Sequence, residues 1–118
     1  MSWPEDFINK YPLTFRETRD FCCGEGWSEL LTDLCGTIEP LLASLPADER
    51  PYAVQVKEKF GGLRFYMMGS LPEIEAAIDV AEERSNRTCE VCGAPGQPNE
   101  SGWISVRCTT CRTKQQTP

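Results

Sequence analysis

A chain of 118 residues with 40% hydrophobic content has room for one small core and a short appended module, but not for two independently packed cores. Its net charge of -6 argues against wholesale binding along a phosphate backbone, and the absence of histidine removes both the commonest general base near neutral pH and the commonest nitrogen ligand for metals. The opening MSWPEDFINKYP has no basic segment leading into an apolar run, and no stretch approaches about 18 consecutive apolar residues, so the expectation is a soluble, unexported, cytoplasmic protein without a membrane partner.

The first secure element begins at Trp27. Trp27, Leu30, Leu31, Leu34, Ile38, Leu41, Leu42 and Leu45 recur at the i, i+3, i+4, i+7 spacing of a helix with one buried face. Ser28 is a candidate N-cap. Pro40 lacks a donor and its ring presses on the carbonyl of Gly36, which predicts a kink or break near 36–40. Cys35 lies beside the apolar stripe and reads as a small core residue, and the Cys22-Cys23 pair before GEGW could be structural, reactive or an accessory ligand, with structural the expectation. PADERP, at 46–51, has the proline and charge content of a surface connection.

Beyond it the apolar period changes to two. With a two-residue hairpin turn at Gly61-Gly62, where glycine tolerates positive φ, Val54, Val56, Phe60, Leu63, Phe65 and Met67 share a buried face. Phe60 then pairs with Leu63, Glu58 with Phe65, Lys57 with Tyr66 and Lys59 with Arg64. Lys57, Lys59, Arg64 and Tyr66 project from the opposite face, either as solvated sheet surface or as a partner-binding strip, and the like-charge Lys59–Arg64 pair hints at an anionic partner. Glu58 is a misfit on the apolar face, expected at the sheet margin or beside an arginine.

Ser70-Leu71-Pro72-Glu73 reads as a capping box that opens a second helix ending near Asn86. Ile74, Ala77, Ile78 and Ala81 form its narrow apolar stripe, while Glu73, Glu75, Asp79, Glu82 and Glu83 are expected to face water. Glu75 and Glu82 are the candidate contacts if the acidic helix, and not the basic hairpin, meets a partner. The polar tail TKQQTP is expected to fray.

The strongest chemical signal is Cys89, Cys92, Cys108 and Cys111, spaced C-x2-C-x15-C-x2-C. Each pair lets two thiolates converge from a tight turn, two turns complete a tetrahedral shell, and Gly93 suits the positive φ of a zinc knuckle. One structural Zn²⁺ is the expectation; a four-sulfur shell leaves no open position for water or substrate. An iron or iron–sulfur site would use the same sulfurs. A redox dithiol would instead place one C-x-x-C at the start of a helix in a βαβ unit, whereas here two pairs flank SGWISV, a predicted strand. The odd count of seven cysteines, without an export signal, argues against a disulfide framework. The expected fold is therefore α+β, with a helix, β-hairpin, helix body over residues 1–86 and a four-cysteine zinc-ribbon or treble-clef-like module over 87–118.

Read together, INKYPLTFRETRDFCCGEGWSELLTDLC, VQVKEKFGGLRFYM and AEERSNRTCEVCGAPG followed by GWISVRCTTC resemble a group of small proteins encoded by bacteriophages and prophages, over most of residues 8–112. In that group the segments look like C-G-x-G-W before a helix, K-E-K-F-G-G-L-R-F-Y, and R-T-C-E-V-C-G-x-P-G followed by G-G-W and a last pair that is often C-x-x-H. Here the last position is Cys111, a change that zinc tolerates. The resemblance implies a viral or prophage origin, a bacterial host cytoplasm as the place of action, and a zinc module of ribbon or treble-clef type; it implies no particular activity.

Without histidine, an H-N-H nuclease site, a zinc deaminase site and a hydrolase triad all lack an essential group. Nucleic-acid binding would draw on Lys57, Lys59, Arg64, Tyr66, Arg107, Arg112 and Lys114, against an unfavourable net charge. The expectation is a non-enzymatic protein that binds a host protein stoichiometrically, as an inhibitor of a host defence system, with a nucleic-acid-binding or phage accessory role as the alternative.

Overall fold

The computed structural model describes residues 2–98 and 104–111. Helix α1 (Trp3–Lys10) is one that the apolar spacing does not announce. Its start is local chemistry: the Ser2 hydroxyl accepts from the Glu5 N–H, Pro4 occupies the first turn, where no donor is needed, and Glu5 and Asp6 complement the positive end of the helix. Trp3, Phe7 and Tyr11 follow at intervals of four and join Phe15 and Phe21 in a chain of tilted and edge-on ring contacts, ending with Phe15 at 6.1 Å from Phe65 of the sheet.

A short 3₁₀ turn (Glu25–Trp27) leads into α2 (Ser28–Ala43), which buries Leu30, Leu31, Leu34, Cys35, Ile38 and Leu42 as its spacing requires. Ser28 is the first helical residue and not the cap, because the preceding 3₁₀ turn already supplies helical backbone there. Pro40 does not break the helix. Both Pro40 and Gly36 are exposed, so the carbonyl that Pro40 leaves without an intrahelical donor faces water. Glu39 ties α2 to the preceding loop: its carboxylate accepts from the backbone N–H of Leu13 and Thr14 at 3.0 and 2.9 Å and from the Thr14 hydroxyl at 2.7 Å. At the C-terminus, Arg50 Nε donates to the carbonyls of Leu42 and Leu45 at 2.7 and 3.0 Å, closing the proline-rich connection.

β1 (Tyr52–Lys59) and β2 (Gly62–Met68) form an antiparallel hairpin that turns at Phe60-Gly61, one residue earlier than the sequence suggests. Phe60 has φ +53° and Gly61 +82°, the paired left-handed conformations of a type I′ turn. Val56 therefore faces Phe65, Lys57 faces Arg64, Glu58 faces Leu63 and Lys59 faces Gly62, replacing the expected pairs. Every partner moves by two residues, so the pleat keeps its faces: Val56, Leu63 and Phe65 are buried, while Lys57, Lys59, Arg64 and Tyr66 lie on the other side. Two apolar assignments fail. Phe60 leaves the strand and stands 71% exposed at the tip, and Val54 falls at a register irregularity between Ala53 and Gln55 that turns it outward.

α3 (Pro72–Ser85) packs Ile74 and Ala81 against this sheet and ends at Asn86. Its cap is Leu71, without a side-chain bond; Ser70 instead donates its hydroxyl to the Leu71 carbonyl, so the capping box does not form. Two α3 side chains close the outer edge of β2: Ser85 Oγ accepts from Leu63 N–H at 2.9 Å, and Glu82 accepts from Phe65 N–H at 3.3 Å. Glu82 is thereby drawn in from the water-facing side where its spacing placed it. The opposite edge of β1 is covered by chain segments, with Ala53 N–H donating to Thr14, Cys22 N–H to Val56 and Glu58 N–H to Cys22.

Candidate metal centre

After α3 the chain forms a knuckle. Gly93 N–H donates to the Cys89 carbonyl at 2.9 Å and Cys89 N–H to the Ala94 carbonyl at 2.8 Å, folding Cys92 back beside Cys89. Gly93 takes φ +86°, and a Cβ there would stand 3.0 Å from the Gly26 carbonyl oxygen, so conformation and space both call for glycine. β3 (Gln97–Pro98) pairs antiparallel with β4 (Val106–Arg107), and Glu90 N–H donates to the Val106 carbonyl at 3.0 Å, which brings Cys108 up to the knuckle. Residues 109–111 are helical and carry Cys111, whose N–H points at Cys108 Sγ at 3.4 Å.

The four sulfurs of Cys89, Cys92, Cys108 and Cys111 all lie within 4.8 Å of one another, and those of Cys92 and Cys108 are 3.6 Å apart. A regular tetrahedron of thiolates at about 2.3 Å from a metal has sulfurs roughly 3.8 Å apart, so side-chain adjustments of about 1 Å or less would close the donor set onto a zinc-sized ion. Cys89 is fully buried and Cys111 8% exposed, whereas Cys92 is exposed and Cys108 half-buried. Burial pushes the Cys89 thiol up, but hydrogen bonds from Cys108, Cys92 and Val91 outweigh it and leave Cys89 at about 6. Cys108 is pulled down chiefly by the Cys111 N–H. Cys111, which stands in the field of the other sulfurs, is pushed up to about 12, foremost by its side-chain bond with Cys108. The cluster thus stabilises negative sulfur at some positions and disfavours it at the last, an imbalance that a divalent cation relieves.

The centre is joined to the body through backbone. Gly26 N–H donates to the Glu90 carbonyl and Trp27 Nε1 to the Thr88 carbonyl, both at 2.9 Å, and a Cβ on Gly24 or Gly26 would stand 2.1 or 2.2 Å from a carbonyl oxygen of the knuckle. The GEGW segment is therefore the seat of the four-cysteine knuckle, a role not visible in the sequence because the partners lie about sixty residues apart and meet through carbonyls of the knuckle. Nearby, Cys23 is pushed up to about 12 by burial and then by Glu90, Cys22 and Glu58, and burial raises the Cys35 thiol in the core; both read as structural. Glu90 is also raised, by burial and by Glu58, against the opposing pull of Arg107.

The candidate partner residues fall into two sets. Lys57, Lys59, Arg64 and Tyr66 share the outer hairpin face, with Lys57 Nζ 5.6 Å from the Tyr66 ring and Lys59 Nζ 5.7 Å from the Phe60 ring. Among the described residues the ion pairs involve Arg84 and Arg87, and none of these three hairpin cations is paired with a carboxylate. Glu75 is exposed on α3, whereas Glu82 is engaged at the strand edge. Arg107 is half-buried beside the metal cluster, while Arg112 and Lys114 lie outside the described residues, as do Trp103 and the TKQQTP tail. The sequence missed Phe60 as a surface group; the signal available was the preference of two-residue turns for a second-position glycine, which Phe60-Gly61 satisfies as well as Gly61-Gly62.

The fold and the site together define a mixed helix and antiparallel-sheet protein that carries a four-cysteine cluster able to hold a metal ion. No family model matches the chain, and no curated protein or solved structure matches it. Among the described residues no helix is long and apolar enough to cross a membrane.

Proposed function

We propose that this chain is a non-enzymatic zinc protein in which one structural Zn²⁺, held by Cys89, Cys92, Cys108 and Cys111, fixes a treble-clef-like module (87–118) onto the body (1–86), and that the assembled scaffold works by stoichiometric binding to another protein. The observation that carries the metal reading is the convergence of four sulfurs within 4.8 Å. The treble-clef reading is supported by a knuckle for the first pair and by Cys108 standing at the entry of a helical turn. Zinc, when bound, supplies charge neutralisation and cross-linking of distant segments, and a full sulfur shell leaves it no substrate position. Elemental analysis of protein purified without chelator is expected to find one zinc per chain, and cobalt substitution to give the visible bands of a tetrahedral thiolate site; absence of both overturns the reading.

The binding role is supported by the hairpin: an exposed Phe60 at its tip, and on one face Tyr66 with three cations that have no carboxylate partner among the described residues. Aromatic and arginine side chains of this kind dominate protein interfaces. Single-stranded nucleic acid could use the same face, but the -6 charge opposes a polyanion, and the rings of Phe60 and Tyr66 each have one of the chain's own lysines nearby. The resemblance to phage and prophage proteins supports a bacterial cytoplasm as the setting and a host protein as the partner; inhibition of a defence system is the role that the acid-rich helix, offered to a basic nucleic-acid-binding surface, would serve. A target identified from bacterial lysate and then purified should bind one-to-one, with the complex lost on Lys57→Glu with Arg64→Glu if the hairpin is the contact, or on Glu75→Lys if the acidic helix is. Micromolar binding of labelled dT15 at physiological salt, lost in the hairpin double variant, would favour nucleic acid instead.

A further inference from the structure

We infer that the Cys92–Cys108 pair is an oxidation site, at which a two-electron oxidant such as hydrogen peroxide forms a disulfide and expels the metal; this rests on the zinc reading above. The cluster is two-sided. Cys89 and Cys111 are buried at 0% and 8% exposure, sealed by the knuckle and by the docking of Glu90 and Thr88 on Gly26 and Trp27. Cys92 is exposed and Cys108 half-buried, and their neighbours Val91, Gly93 and Thr109 are exposed as well, so an oxidant reaches this side first. The two accessible sulfurs are 3.6 Å apart, one in the knuckle and one just after β4, and a disulfide of about 2.05 Å requires each to move by less than about 1 Å.

The chemistry closes without a further reactant. The Cys92 thiolate attacks the O–O bond of peroxide, giving a sulfenic acid and releasing hydroxide. The Cys108 thiolate then attacks the sulfenic sulfur, forming the S–S bond and releasing a second hydroxide. The two sulfurs supply two electrons, peroxide takes them, and two protons from solvent convert the hydroxides to water. Cys89 and Cys111 would then be the only thiolates left to hold a cation, half of a shell whose affinity depends on all four ligands. Because the same knuckle carries the carbonyls that receive Gly26 and Trp27, oxidation at the exposed side also loosens the seat of the module on the body. A dithiol reductant with fresh zinc reverses both changes.

The test uses the full, zinc-loaded chain and its Cys22→Ser variant, which removes the other exposed thiol. Peroxide is added stepwise while a chromophoric chelator reports free zinc, and the products are mapped by intact mass and peptide disulfide analysis. The expected result is one zinc released per two hydrogens lost, a Cys92–Cys108 cross-link, an unchanged stoichiometry in Cys22→Ser, and recovery with dithiothreitol and zinc. Release accompanied by a Cys89–Cys92, Cys108–Cys111 or Cys22–Cys23 disulfide, or by sulfinic acid alone, overturns the inference, as does zinc retained after the cysteines have reacted. These outcomes leave the metal reading standing. A chain that binds no zinc before peroxide is added overturns both.

Discussion

Glu58 Oε2 accepts the backbone N–H of Gly61 at 2.7 Å, so the carboxylate that looks misplaced on the apolar face of β1 is the clasp of the hairpin turn. It makes a charge-assisted bond to an N–H in a half-buried place and holds Phe60 in a left-handed conformation that costs about 1–2 kcal/mol for a residue with a Cβ. Glu58→Ala should lower stability by about 1–3 kcal/mol in urea titration, because the Gly61 donor loses its partner. Phe60→Asn should do the reverse, raising stability by about 0.5–1 kcal/mol as the turn gains its preferred Asn-Gly pair. If Phe60→Asn is destabilising instead, the ring contributes to folding and is not a surface group.

Ser85 is fully buried, accepting from Leu63 N–H at 2.9 Å and donating to the Glu82 carbonyl at 2.6 Å. Ser85→Ala leaves that strand donor unsatisfied and should cost about 1–3 kcal/mol, with amide exchange of Leu63 accelerated more than that of Val56. Lys59→Ala, at an exposed position across from Gly62, should change stability by less than about 0.5 kcal/mol.

Chelation should act at a distance from the sulfurs. With the metal removed, the amide of Gly26 and the indole N–H of Trp27, both bonded to carbonyls beside Cys89, should exchange with solvent faster, while amides in the middle of α2 keep their protection. Uniform loss of protection would show that metal binding and folding of the whole chain are a single transition, and no change at Gly26 would show that the seat forms without the metal.

The Cys23 thiol provides a pH signature. Its folded pKa lies at about 12 against 9.0 for an unperturbed thiol, so the neutral form is favoured by folding: its contribution is present in full below pH 9.0 and is lost as pH rises toward about 12. Cys23→Ala should flatten this alkaline limb of the stability curve relative to wild type. In the native protein at pH 8, iodoacetamide should modify exposed Cys22 well before Cys23. Equal labelling of the two would contradict the burial that raises Cys23.

Much of this was legible in order and spacing. The helix stripe from Leu30 to Leu42, the sorting of Lys57, Arg64 and Phe65 to opposite faces, and the four convergent cysteines all depend on periodicities that the chain carries openly. What escaped was decided by single hydrogen bonds that periodicity does not reveal. Turns at Phe60-Gly61 and Gly61-Gly62 differ by one residue, and local preference favours the second. Glu58 tips the choice to the first, and Gly62 enters the strand where a Cβ would lie 3.0 Å from Arg64 Nη1 and Asn86 Oδ1. Pro40 reads as a helix breaker because spacing shows that it lacks a donor but not that the orphaned carbonyl faces water.

The covered edges of the β1–β2 hairpin govern how this protein can meet anything else. With the N–H groups of Leu63 and Phe65 capped by α3, and main-chain groups of Val56, Ala53 and Glu58 engaged by the segments around Thr14 and Cys22, these groups are closed to an added strand. An extended peptide therefore gains nothing from its backbone here, and neither does a second hairpin of the same kind. Recognition has to come from side chains standing on the outer face and the tip, so a partner would be chosen by the shape and charge of its surface and not by its readiness to become a strand.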